Sequence, residues 1–129
     1  MGDHSQNPPC LPPIAMNLLV IEVREMVVAM QFYESLGLVF ELEQHGRGPQ
    51  HYSAKVGSTI FEIYPRDTEA ISARVRLGFE VASLDKAVNA LRSRAAKVLK
   101  EPGDSPWGRR AVVEDPDGNR VELLERVQA

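Results

Sequence analysis

The stretch "EDPDGNRVELLE" (residues 114–125) decides how the chain is read. Asp115-Pro116-Asp117-Gly118 suits a tight turn, because proline presets φ at the second position and glycine tolerates the bend. After the turn, Val121 and Leu123 alternate with Glu122 and Leu124, the two-residue period of a strand. "RRAVVE" (109–114) before it supplies an antiparallel partner. Working back, "RVRLGFEVA" (74–82) reads as a strand and Ser83 as a helix N-cap. Leu84, Ala87, Val88, Leu91 and Ala95 then make a helical stripe, and "KVLKEPG" (97–103) a short strand and a break. The order is strand, helix, three strands.

The first half repeats that order. "NLLVIEVRE" (17–25) is a β-branched apolar run, expected as a buried strand. Met26, Ala29, Met30, Tyr33 and Leu36 then recur at three- and four-residue steps, and Gly37 suits the helix stop. "LVFELEQ" (38–44), "QHYSAKV" (50–56) and "TIFEIYP" (59–65) follow as three strands. From Leu18 to Glu62 is 44 residues, and from Arg76 to Glu122, their equivalents in the second half, is 46. Near-equal spacing is what a duplicated unit predicts. The expected fold is α+β. Two tandem βαβββ modules (17–66 and 71–126) form an open, trough-shaped mixed sheet with helices on the outer faces. Residues 1–16, proline-rich and aperiodic, are expected as an irregular arm before a single domain over 17–129.

Composition narrows the function classes. The chain has 129 residues, a net charge of −3 and 43% apolar residues, the balance of one soluble domain. No basic run interleaves with aromatics, so no nucleic-acid partner is expected. No apolar stretch reaches membrane-spanning length. The single cysteine, Cys10, cannot close an internal disulfide, and no secretion leader is read. A cytoplasmic setting is therefore expected. His4 and Cys10 match no metal-ligand spacing.

Strand alternation then selects the residues facing the trough. These are Leu18, Val20 and Glu22; His51, Ser53 and Lys55; Ile60, Glu62 and Tyr64; Arg76, Gly78 and Glu80; and Glu122 with Leu124. Several carboxylates with a few cations in one groove suit a polar ligand site, or a self-paired wet groove. Trp107 and Tyr64 offer stacking faces.

"VREMVVAMQFYESLGL" (23–38), "GSTIFEIYP" (57–65), "GFEVASLDKAVNALRS" (78–93) and "PWGRRAVVEDPDGNRVELLE" (106–125) resemble the vicinal oxygen chelate superfamily. That superfamily includes glyoxalase I, bleomycin-resistance and extradiol dioxygenase proteins. The resemblance implies up to four metal-ligand positions, on the first and last strand of each module. In this chain they fall on Leu18, Glu62, Arg76 and Glu122. Leucine has no lone pair, and arginine is a fixed cation. The resemblance therefore implies a metal-free binder of a small polar or cationic molecule, with Arg76 pairing Glu62 or Glu122 in place of the ion. The alternative is a metal-dependent lyase, isomerase or dioxygenase. It would use Glu62 and Glu122 as ligands or bases, with His51 as a substitute ligand and a hard divalent cation as cofactor. A homodimer is also implied by the resemblance.

Overall fold

The computed structural model describes residues 15–66 and 75–126. The expected arm up to residue 14, with His4 and Cys10, lies outside them, as do the inter-module link 67–74 and the last three residues. Module one runs β1 (Leu18–Val23), α1 (Met26–Glu34), β2 (Phe40–Glu43), β3 (His51–Val56) and β4 (Thr59–Pro65). Module two runs β5 (Arg76–Glu80), α2 (Leu84–Ser93), β6 (Lys97–Ser105), β7 (Gly108–Glu114) and β8 (Arg120–Arg126). Each module makes its own four-stranded mixed sheet, in the orders β1-β4-β3-β2 and β5-β8-β7-β6. The two orders are the same, as duplication requires. In register, Val20 pairs with Glu62 and Gly78 with Glu122, so Glu62 and Glu122 occupy equivalent positions.

The two-residue period turns one side of the strands toward the helices, while His51 and Val112 are buried on the opposite side. Ile21, Val23, Phe61, Ile63, Leu77, Val121 and Leu123 face the helices in one continuous core. Ser83 accepts from the Lys86 backbone N–H at 3.3 Å, the expected N-cap of α2. The first helix stops at Glu34, short of Leu36, the last residue of its apolar stripe. Ser35 N–H and Oγ bond back to the Gln31 carbonyl, and Gly37, at φ +107°, turns the chain out. The sixth strand is longer than expected. It runs through Pro102 to Ser105 because two register shifts against β7 absorb the irregularity, and an edge strand tolerates proline.

The 115–119 turn joins the modules. Asp115 is buried; its Oδ1 accepts the backbone N–H of Asp117 and Asn119, at 2.9 and 2.8 Å. Its Oδ2 accepts from Asn119 Nδ2 at 2.8 Å and from the Tyr33 hydroxyl of α1 at 2.6 Å. Tyr33 also meets Phe61 and Phe79 of the two sheets, with ring centroids 4.9 and 6.0 Å apart. Arg24 donates to Asp117 and to the Pro116 carbonyl. A buried carboxylate is stable here because four donors compensate its lost hydration. The "DPDGN" motif is thus a structural latch, and the nearby carboxylate Glu122 points elsewhere.

Candidate functional site

The helix-free face of module two holds the expected trough residues of that half. Glu122 sits between two guanidiniums. Arg110 donates to Oε1 from Nη2 at 2.8 Å and from Nε at 3.2 Å, and Arg76 Nε donates to Oε2. Of the two partners expected for Arg76, the fold selects Glu122. The Arg110 hydrogen bonds hold the Glu122 carboxyl below the usual carboxylate range; Arg76 adds to this and partial desolvation opposes it. An ionised carboxylate with both oxygens occupied is a poor proton acceptor. Glu80, one step along the face, takes Arg126 Nε at 2.6 Å.

Glu122, Arg110, Glu80 and Arg126 line a cavity of about 680 Å³, the size of a site for a drug-sized molecule, and Arg76 holds Glu122 from outside its lining. Its walls include Phe79, Leu124, Arg110, Arg126 and Trp107. Trp107 is 64% exposed at the rim and presents a ring face. Gly78 forms part of the floor; a Cβ there would meet nothing within 4 Å, so the absent side chain is what leaves the depth.

Strand alternation alone missed Arg110 and Arg126. Pairing "RRAVVE" antiparallel to "RVELLE" across the turn would have found Arg110, which lies opposite Leu124. The groove is therefore not uniformly acidic. Its module-two carboxylates Glu80 and Glu122 are matched by Arg126 and by Arg76 with Arg110.

The helix-free face of module one is different. Its rows are Leu18–Ile60–Lys55, then Val20–Glu62–Ser53–Glu41, then Glu22–Tyr64–His51–Glu43. Here Glu22, Glu41, Glu43 and Glu62 outnumber Lys55. Leu18 and Val20 stand 52% and 42% exposed. His51 is 1% exposed and stacks on Tyr64, centroids 4.2 Å apart and planes 7° from parallel. Desolvation, then the Glu62 and Glu43 charges, push the Tyr64 phenol up, so it stays a proton donor. Glu62 Oε2 lies 3.7 Å from His51 Nε2.

The four positions that the resemblance assigns to a metal do not fit one. Leu18 offers no donor atom, and Arg76 carries a positive charge to the place of the ion. Glu122 already bonds Arg76 and Arg110, while Glu62 lies beside His51.

Comparison with known proteins agrees with the fold. The model of the Glyoxalase/Bleomycin resistance protein/Dioxygenase superfamily matches residues 15–123. An uncharacterized protein of Mycolicibacterium smegmatis is 28% identical over 106 residues, covering 81% of this chain and 87% of that protein. A glyoxalase/bleomycin resistance protein from Streptomyces sp. CB03234 superposes with a TM-score of 0.67 at 25% identity, covering 86% of this chain and 100% of that one. An antibiotic binding protein from the same source, TnmS3, superposes with a TM-score of 0.72 at 24% identity, covering 92% and 100%.

Proposed function

The chain belongs to the glyoxalase/bleomycin resistance protein/dioxygenase superfamily, and from that premise we propose that it binds a small polar or cationic molecule with a flat ring system in the module-two cavity. Binding, rather than chemistry, is its task there. One observation carries this reading: Glu122, the carboxylate a catalytic role would need, is held by Arg76 and Arg110. A fold shared by binders and enzymes does not choose between them, so the site must. Phe79, Leu124 and the exposed Trp107 supply apolar contact, and the paired charges of Glu80, Arg126, Arg110 and Glu122 supply polar anchoring. The alternative, a metal-dependent lyase, isomerase or dioxygenase using Glu62 and Glu122 with substitute ligands such as His51, is weakened by the hold of Arg76 and Arg110 on Glu122.

The same reading includes a homodimer. The exposed Leu18 and Val20 lie on an acidic sheet face, and the cavity-bearing face of the other module carries Arg76, Arg110 and Arg126. A two-fold pairing of module one with the partner copy's module two would cover the apolar strand and roof the cavity with carboxylates. Those carboxylates favour a cationic group on the ligand.

The chain has one tryptophan, so its fluorescence reports the cavity rim directly. We expect quenching on titration with flat amphipathic compounds, stronger for cationic than for anionic members of one scaffold. A panel spanning neutral, cationic and anionic ring compounds that leaves Trp107 unchanged would remove the proposal. Sedimentation at tens of micromolar that shows only monomer would remove the dimer.

A further inference from the structure

Module one carries a group of side chains that neither the cavity nor the latch uses. Glu43, at the end of β2, stands in register with His51 on β3. His45 follows two residues later, in a loop where its carbonyl accepts the Gly48 N–H at 2.9 Å and Gln44 Nε2 bonds the Gly48 carbonyl at 2.9 Å. The ligand atoms of Glu43, His45 and His51 all lie within 4.8 Å of one another.

The decisive atom is His51 Nε2. The ring is buried, and Nδ1 lies 3.2 Å from the Pro49 carbonyl oxygen. A carbonyl only accepts, so Nδ1 carries the proton that links them. In the neutral tautomer this leaves the Nε2 lone pair turned toward Glu43 and Glu62. Nε2 has no hydrogen-bond partner among the described residues. It nevertheless lies 3.4 Å from Glu43 Oε1 and 3.7 Å from Glu62 Oε2, both acceptors. His45 Nε2 lies 3.6 Å from the same Glu43 oxygen. His51 is buried while Glu43 and His45 reach the surface, so acceptors turned toward the desolvated His51 nitrogen favour a cation between them that can enter from solvent. Four ligands at about 2.0–2.1 Å around one tetrahedral ion stand about 3.4 Å apart, close to these separations. The Pro49 carbonyl and the Tyr64 ring fix the His51 ring as outer partners of a metal-bound imidazole do.

We infer that Glu43, His45 and His51 bind one divalent first-row transition-metal ion, with Glu62 in reach as a fourth ligand. Two imidazoles with carboxylate suit Zn²⁺ and its neighbours better than Mg²⁺. The site lies on the β2–β3 side of module one. It is separate from the positions of Leu18, Arg76 and Glu122, and it stands whether or not the module-two cavity binds a small molecule.

The test uses the full chain, purified without affinity metal and stripped with chelator. It is then loaded with Zn²⁺, desalted and measured for metal content. Competition with a chelating dye gives the affinity, and Co²⁺ loading gives the visible spectrum of a bound ion. We expect one equivalent of metal. His45→Ala and Glu43→Gln should each weaken binding by at least about tenfold, the effect that losing even an outer partner has. His45 is exposed, so its removal leaves the fold intact where loss of the buried His51 need not. Glu122→Gln and Cys10→Ser should bind as the parent does. Absence of uptake, uptake indifferent to both His45→Ala and Glu43→Gln, or uptake lost in Cys10→Ser would each overturn the assignment.

Discussion

Replacing Tyr33 by phenylalanine removes one oxygen from the centre of the molecule and tests the latch between the modules. The hydroxyl donates to the buried Asp115 carboxylate at 2.6 Å, and no part of Tyr33 is exposed. A hydrogen bond to a charged group contributes about 1.5–3 kcal/mol, so Tyr33→Phe should lose that much at neutral pH. The pH dependence is the sharper test. Burial first, then the Asp115 charge, push the phenol pKa up from its ordinary value of 10.0. The native state therefore keeps a proton that the unfolded chain releases above pH 10.0. The contribution is complete below that pH and is lost as pH rises toward the folded value. Linkage sets the loss at about 1.4 kcal/mol per pH unit, so about 1.4 kcal/mol is gone by about pH 11. The phenylalanine variant has no such proton. Other titrating groups are common to both proteins and cancel in the difference. Urea unfolding followed by far-UV circular dichroism, at a series of pH values from about 9 to about 11, reads the two stabilities. The gap between parent and variant should narrow by about 1.4 kcal/mol over that range. A gap that stays constant or widens would mean that the phenol is not sealed against Asp115.

Gly78→Leu should fill the cavity floor without strain, because a side chain there enters open space. Thermal unfolding should barely change while Trp107 quenching by a ligand falls at least about tenfold; unaltered quenching would place the ligand elsewhere. Arg110→Gln removes the main cause of the low Glu122 pKa, which should rise toward the ordinary carboxylate range in an NMR titration. A depressed folded pKa stabilises above the unfolded value and is lost as pH falls. The variant should therefore show a flatter acid limb of stability, and an equal acid dependence would deny the pairing. Ala95 holds φ +61° just past α2. Ala95→Gly should relieve about 1–2 kcal/mol of left-handed strain and give back about 0.4–1 kcal/mol in unfolded-state entropy. A small rise in melting temperature is expected, and a fall would show that the strain is absent.

How much of this was legible in the chain follows from the range of each interaction. Alternation in "RVELLE" and "TIFEIY", the Ser83 cap and the Asp-Pro-Asp-Gly turn act over a few residues, so the two βαβββ modules and the equivalence of Glu62 with Glu122 could be read directly. The face assignment of Glu22, Ser53, Lys55 and Glu80 rests on the same period. The α1 stop and the length of β6 were less legible, because the Ser35 back-bond and the β6–β7 register shifts override local pattern.

The site was decided by contacts between residues far apart in the chain. Arg76 and Glu122 are 46 residues apart and Tyr33 and Asp115 are 82, and no local period encodes which carboxylate a cation will choose. Sequence could say that Leu18 and Arg76 cannot ligate a metal, because that is a property of the side chains themselves. It could not say that Arg110 would complete the clamp on Glu122, that Gly78 would open a cavity floor, or that His51 would be buried with one nitrogen facing two carboxylates. Burial and partner geometry are properties of the packed sheets, and they determine whether a charged or imidazole group is a structural tie, an anchor or a ligand.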